Sequence, residues 1–113
     1  ENRLVAVGIP NGGEAYLKGN TLERTGGMPP IIAIFANSKA VLVENNIKGG
    51  GIAGIMLSGK LDAVGNTIKG QNGAHGVLAQ KNSEAVLSRN KIKGYRVRVS
   101  DQKAKSVIEV DSQ

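Results

Sequence analysis

Short stretches in which apolar and polar residues alternate recur along the chain. Four segments have alanine or leucine five and three positions before a shared asparagine, and leucine or isoleucine two positions after it. These segments read EAYLKGNTLER, KAVLVENNIKG, KLDAVGNTIKG and EAVLSRNKIKG. Alternation with a period of two residues, bounded by glycine and asparagine, predicts β-strands and turns rather than helices.

The repeat length predicts how these strands pack. The shared asparagines are Asn20, Asn45, Asn66 and Asn90, and a second short strand follows them as AIFA, GIML, GVLA and RVRV. A unit of about 23 residues cannot bury its own apolar side, so successive units must stack as parallel strands about 4.8 Å apart. We therefore predict an all-β fold, a parallel β-helix (solenoid) of about five rungs, with residues 1–113 forming one domain.

A glycine-rich stretch suggests a different interpretation, which the repeats exclude. Gly49, Gly51 and Gly54 have the G-x-G-x-x-G spacing of a dinucleotide-binding turn. That motif requires a following helix, whose N-terminus binds the pyrophosphate, and an acidic residue about 20 positions later. Here IMLSGKLDAV follows, which is a strand and a turn, and no acidic residue stands at the required distance. The glycines are therefore predicted to form a turn between two strands, and no cofactor is predicted.

The repeated pattern A-V-L-x-x-N-x-I-x-G, followed by G-[IV]-x-[LV], resembles the right-handed parallel β-helices of the pectate-lyase-like superfamily. The resemblance covers nearly the whole chain and implies that the four asparagines stack as a ladder in a left-handed backbone conformation. Asparagine tolerates positive φ, and its amide can bond the asparagines above and below it. Members of this superfamily mostly act on or bind polysaccharides and are mostly exported, so the resemblance implies a periplasmic or extracellular location.

Composition narrows the classes of partner that the chain is expected to bind. The chain has no cysteine, only three aromatic residues and a formal net charge of +6, which favours an anionic partner. No apolar run approaches the roughly 18 residues of a membrane span. With so few aromatic residues to stack on bases and no helix for a major groove, nucleic acid is not the expected anion.

Catalytic and metal-binding residues are not evident. Glycoside hydrolysis needs two carboxylates about 5–10 Å apart, yet the repeat alignment places no two acidic residues at the same position of adjacent rungs. Glu44 and Asp62 lie on neighbouring rungs but three positions apart. His75 is the only histidine and has no serine, aspartate or metal-ligand spacing around it. Whether the chain belongs to an enzyme is left open, and no metal site is predicted.

A basic column is the candidate binding feature. Three positions after the shared asparagines stand Glu23, Lys48, Lys69 and Lys93, so three lysines are predicted to line about 10 Å of the solenoid axis. They could remain simply solvated or could match a polyanion. The adjoining turns add further candidate ligand-binding residues. These are Arg24, Asn72, His75, Tyr95 and Arg96.

Outward-facing apolar residues leave self-assembly open. The alignment places Phe35, Met56 and Leu78 in one outward column interrupted by Arg98, and it places several valines, including Val41 and Val86, on another outward surface. Because strand patterns reach both ends without a capping helix, we expect an excerpt of a longer chain or an assembly of copies. Three functions follow: a non-catalytic module that engages anionic polysaccharide or cell-surface glycan, a fragment of a polysaccharide lyase, epimerase or hydrolase, or a self-assembling structural solenoid.

Overall fold

The computed structural model describes residues 3–4, 7–24 and 26–113. These residues form thirteen β-strands and no helix, and the strand pairs between them are parallel. The strands stack on three faces, two of which are joined because β10 and β12 bend from one to the other.

Each face is formed by the strands that occupy the same place in successive coils of the solenoid. The first face consists of β1 (Arg3–Leu4), β4 (Thr21–Arg24), β7 (Asn46–Gly49) and the first parts of β10 (Thr67–Ala79) and β12 (Lys91–Asp101). The second face consists of β2 (Val7–Ile9), β5 (Ile32–Ile34), β8 (Ala53–Leu57) and the last parts of β10 and β12. The third face consists of β3 (Glu14–Lys18), β6 (Lys39–Val43), β9 (Lys60–Val64), β11 (Glu84–Ser88) and β13 (Ser106–Val110).

The chain is therefore a parallel β-solenoid, as the repeats predict. The five stacked strands of the third face are separated by four complete turns, so the described residues make about four turns. A strand follows the glycine-rich stretch, as expected, since Ala53–Leu57 is β8. The right-handed sense and the number of rungs remain predictions from the sequence.

The core is aliphatic and is built from all three faces. Leu22, Ile47, Ile68 and Ile92 stack in register on the first face and are at most 2% exposed. Isoleucine, leucine and alanine from the other two faces complete one continuous cluster. Small and branched side chains fill the narrow interior without aromatic rings, which explains how a chain with three aromatic residues forms a packed core.

The four shared asparagines form the predicted ladder. The Nδ2 group of Asn45 donates to Oδ1 of Asn66 at 3.0 Å, and Nδ2 of Asn66 donates to Oδ1 of Asn90 at 3.0 Å. Asn20 makes the equivalent but longer bond to Asn45, at 3.3 Å. Each Oδ1 in this series also accepts the backbone N–H of the preceding asparagine at 2.8–2.9 Å. The ladder continues to Ser112, whose hydroxyl accepts the Asn90 N–H at 3.2 Å.

The resemblance implies a left-handed backbone conformation at the asparagines, and this expectation was wrong by one residue. Positive φ angles occur at the residue before each asparagine, as at Glu44 (53°) and Arg89 (53°), and at the equivalent glycines, Gly19 and Gly65 (both 68°). The asparagines themselves do not have positive φ. The left-handed residue bends the chain, and the side chain of the asparagine that follows is buried in the corner, where it bonds its neighbours.

The predicted register of the second face was correct for Met56 and Leu78 but wrong by two residues for Phe35 and Arg98. Met56 pairs with Ala33 and Leu78, and Leu78 pairs with Ser100. Phe35 and Arg98 therefore do not belong to this outward column, and Leu78 is only 4% exposed. A shift by two residues keeps the inward and outward alternation intact, so the pattern alone could not exclude it.

Candidate functional site

The predicted lysine column exists on the first face. Lys69 pairs in register with both Lys48 and Lys93, and Glu23 pairs with Lys48 at one end. The three lysines are exposed, whereas the isoleucines before them are buried. Because parallel strands lie about 4.8 Å apart, the three Cα atoms span about 10 Å along the solenoid axis.

A shallow depression of about 250 Å³ lies beside this column. It is lined by Lys48, Lys69 and Glu23 together with the adjoining turn at Gln71. Within the described part of the chain none of the three lysines forms an ion pair. Stacked like charges repel one another, so a bound polyanion would relieve repulsion as well as add attraction.

Arg24 and Asn72 come together next to the column. They face a second depression of about 140 Å³, which shares Gly49 and Gln71 with the first. Asn72 is exposed and has a φ of 62° at the bend of β10. The Arg24 guanidinium is engaged by its own loop, because it donates to the carbonyl oxygens of Pro29 and, at 2.8 Å, Pro30. Its buried Nε has no hydrogen-bond partner among the described residues.

Tyr95 is packed against the glycine-rich turns and is partly buried. Its hydroxyl donates to the Gly49 carbonyl oxygen at 2.8 Å. Its ring lies where side chains at Gly70 and Gly73 would otherwise point, since a Cβ at Gly70 would be 2.6 Å from the ring. The two glycines therefore make room for Tyr95, and the tyrosine ties the last coil to the turn that contains Gly49.

This burial has a measurable consequence at high pH. Loss of solvent raises the pKa of Tyr95 to about 12, so between about pH 10 and 12 the unfolded chain releases the phenolic proton before the native chain does. The contribution of Tyr95 to stability is thus present below pH 10 and is lost as the pH rises through 12. We expect the wild type to exceed Tyr95→Phe in unfolding free energy by about 1 kcal/mol at pH 8, and this difference to shrink above pH 10.

Urea denaturation of both proteins from pH 8 to 11.5 tests the expectation. The two proteins are identical at every other residue, so other effects of high pH cancel in the difference. A difference in unfolding free energy between the two proteins that stays constant across this range would contradict the raised pKa of Tyr95.

His75 and Arg96 lie further along the two longest strands. His75 is partly buried, and its Nδ1 is in hydrogen-bonding contact with the Ser100 hydroxyl. Arg96 is exposed and follows Tyr95 on β12. The structure thus stacks the three lysines, places Arg24 and Asn72 beside them, and holds Tyr95 and His75 through contacts within the protein.

The acidic residues keep the separation expected from the sequence. Asp62 is in register with Val41, so Glu44 is three residues along the neighbouring strand from it. No group of three or more histidine, aspartate or glutamate residues that could hold a metal ion was found in the described part of the chain. No helix in that part has the length and hydropathy needed to cross a membrane.

Sequence reasoning overlooked a further depression of the surface. It has a volume of about 570 Å³ and lies where the second face meets the third, lined in part by Asn37, Lys60 and Lys81. One signal could have indicated it. Asn45 and Asn66 are 21 residues apart, against 25 and 24 for the other pairs, so one coil must contain a shorter turn.

Comparisons with known proteins add no relative from which a function could be inferred. A scan against protein-family models, a search of curated proteins and a search of solved structures each found no match.

Proposed function

We propose that this chain is a non-catalytic β-solenoid module that binds an anionic polysaccharide along Lys48, Lys69 and Lys93. The observation that carries the proposal is the register of these residues, which stacks three ammonium groups on adjacent strands, none of them in an ion pair with another described residue. A protein surface that repeats a positive charge at every strand is complementary to a polymer that repeats a negative charge at every sugar.

The geometry favours a polymer over a single small anion. The lysines are exposed, so each contact is screened by water and is weak by itself. Several weak contacts to one chain add up, because later contacts are intramolecular once the first has formed. The depressions beside the column give room for sugar rings next to Lys69, and Asn72 lines the second of them.

Two finer proposals accompany this function. The repeat pattern and the asparagine ladder support a relationship to the pectate-lyase-like β-helices, and that relationship would place the protein in the periplasm or outside the cell. A role as part of a lyase, epimerase or hydrolase is less well supported, because Asp62 and Glu44 do not form a close carboxylate pair.

The proposal is tested by calorimetric titration with polygalacturonate, with neutral dextran as the comparison polymer. We expect polygalacturonate binding that weakens as salt is raised, and no dextran binding. Lys69→Glu, at the centre of the column, should weaken binding about tenfold, equivalent to about 1.4 kcal/mol.

Lys105→Glu is the matched control, because it makes the same charge change at an exposed lysine near the start of β13, away from the column. It should leave the affinity within about twofold, well under 1.4 kcal/mol. If Lys105→Glu weakened binding as much as Lys69→Glu, attraction would come from net charge alone and the column would have no special role.

Self-assembly is the second candidate, and the outer surface of the third face favours it. Tyr16, Val86 and Ile108 stand in one register column there and are 63%, 40% and 51% exposed, although Val41 and the exposed Asp62 lie between Tyr16 and Val86. Exposed apolar groups on a sheet commonly mark a contact surface. Sedimentation velocity over a hundredfold range of concentration distinguishes the candidates: a sedimentation coefficient that rises with concentration, without glycan binding, would favour assembly.

A further inference from the structure

The corner between the second and third faces contains a gap one coil wide. In register, Leu57 stands between Ile34 and Ala79, and Lys60 stands between Lys39 and Glu84. The turns that connect these columns have four residues at 35–38, two at 58–59 and four at 80–83. The middle turn is two residues shorter than its neighbours, and the depression of about 570 Å³ lies above it. We call this depression the corner groove.

The floor of the corner groove is closely packed. Gly59 is buried, and a Cβ there would overlap the Ser38 carbonyl oxygen and come within 2.7 Å of the Phe35 carbonyl oxygen. Ser58 is held by a hydrogen bond from its hydroxyl to Oε1 of Gln80 at 2.6 Å. The short turn therefore cannot bulge outward to fill the gap without losing these contacts.

The two walls of the corner groove are the turns at 35–38 and 80–83, which have equivalent conformations and internal hydrogen bonds. Asn37 and Asn82 occupy equivalent positions, both exposed, with φ angles of 60° and 66°. The hydroxyls of Ser38 and Ser83 each donate to the carbonyl oxygen three residues earlier. A groove whose walls are ordered before binding loses less conformational entropy when a ligand enters.

The lining is polar, with positive charge in excess. Lys39, Lys60 and Lys81 contribute three ammonium groups, against the carboxylates of Glu14 and Glu84. Glu84 lies 3.7 Å from the Lys60 Nζ, and this ion pair leaves Lys39 and Lys81 against the one remaining carboxylate of Glu14. The groove therefore favours an anion, while the remaining carboxylate and the two asparagine amides can bond hydroxyl groups.

An exposed aromatic ring extends the corner groove onto the third face. A depression of about 330 Å³ shares Glu14 and Lys39 with the groove and is lined by Tyr16 and Val41. Tyr16 is 63% exposed. A tyrosine ring combines a flat apolar face with a polar edge, which is the surface that the C–H face of a sugar ring can cover.

From these observations we infer that the corner groove and Tyr16 form a binding site for an acidic saccharide. The lysines bind its carboxylate, the asparagine amides and Glu14 bind its hydroxyl groups, and the Tyr16 ring packs against one sugar. A volume of about 570 Å³ lies within the range of small-ligand sites. This site shares no residue with the lysine column and holds a short saccharide whether or not a polymer binds that column.

Titration with a trimer of galacturonic acid tests the site, with maltotriose as the neutral counterpart. Tyr16→Ala should weaken trimer binding about tenfold. Ile108→Ala is the matched control, because Ile108 lies in the same register column, is also exposed and is outside the groove. It should change the affinity by less than about twofold.

A second variant addresses the groove itself, in case Tyr16→Ala disturbs folding. Lys81→Ser, in an exposed turn, should weaken trimer binding about fivefold, with Lys105→Ser as the charge-matched control. Lys69→Glu should leave trimer binding within about twofold, since the lysine column is a separate site. Loss of polymer binding in Lys69→Glu with intact trimer binding would thus support both proposals independently.

Several outcomes would overturn the inference. These are no detectable trimer binding, equal losses in variant and control, maltotriose binding as tight as the acidic trimer, and full competition by inorganic phosphate at the same concentration. The last would show a general anion site without recognition of a sugar.

Discussion

Asn66→Ala is expected to lower the free energy of unfolding by about 4 kcal/mol, since the change removes five side-chain hydrogen bonds of about 1 kcal/mol or less each, the longest of them a 3.4 Å bond to the Val64 carbonyl oxygen. Asn66 is 1% exposed. Its Nδ2 donates to Asn90 Oδ1 at 3.0 Å and to the Leu42 carbonyl oxygen at 2.8 Å, and its Oδ1 accepts from N and Nδ2 of Asn45. Alanine would leave the buried Asn45 N–H without a partner, and the low local dielectric makes such a loss costly.

Asn20→Ala is the control at the end of the same ladder. The Asn20 side chain makes two bonds of 3.3 Å, to Asn45 Oδ1 and to the Lys18 carbonyl oxygen, and accepts from no other described asparagine. We expect a loss of about 1–2 kcal/mol. Urea denaturation followed by far-UV circular dichroism gives both values. Equal losses at the middle and the end would show that the ladder adds little beyond burial of each amide.

Gly49→Ala is expected to destabilise the fold by about 4 kcal/mol, the sum of a left-handed backbone cost and a steric overlap. Gly49 ends β7 with a φ of 102°, which side chains disfavour. A Cβ at this position would overlap the carbonyl oxygen of Arg24, its register partner on the adjacent strand. Because that oxygen belongs to stacked backbone rather than to a flexible side chain, relief requires the two coils to separate locally.

Gly12→Ala separates the two causes. Gly12 has a φ of 83°, but a Cβ there would have no heavy atom of the described residues within 4 Å apart from its chain neighbours. Only the conformational cost remains, so we expect a loss of about 1–2 kcal/mol. Thermal and urea unfolding of the two variants measure the difference. A Gly49→Ala protein no less stable than Gly12→Ala would mean that the coils pack less closely at this point than the structure shows.

The asparagine ladder shows what a local pattern can predict. Alanine or leucine at alternate positions before each asparagine defines which side of the strand is buried, and the asparagine marks one corner of every coil. Lys48 and Lys69 were placed correctly because they stand at the same distance from this marker, and the observed register pairs them. Where a strand lacks such a marker, as on the second face, alternation leaves a shift of two residues undetected.

The left-handed residue illustrates a second limit. Asparagine tolerates positive φ, and this preference led to the wrong position, while Glu44 and Arg89 adopt it with 53° each. Backbone preference at one residue is worth about 1–2 kcal/mol. The hydrogen bonds of each asparagine together outweigh this backbone preference. The ladder therefore places Asn45 and Asn90 in the corner, and the residue before each of them adopts the less favourable positive φ.

The sequence by itself determined the all-β class, the coil length, the inward side of the first and third faces and the alignment of the lysines. These depend on local alternation and on one repeated marker. Only the tertiary structure decided the packing of Tyr95 over Gly70 and the existence of the corner groove. Both depend on contacts between coils more than 20 residues apart, and the groove exists because the turn at Gly59 is shorter than the turns that stack on either side of it.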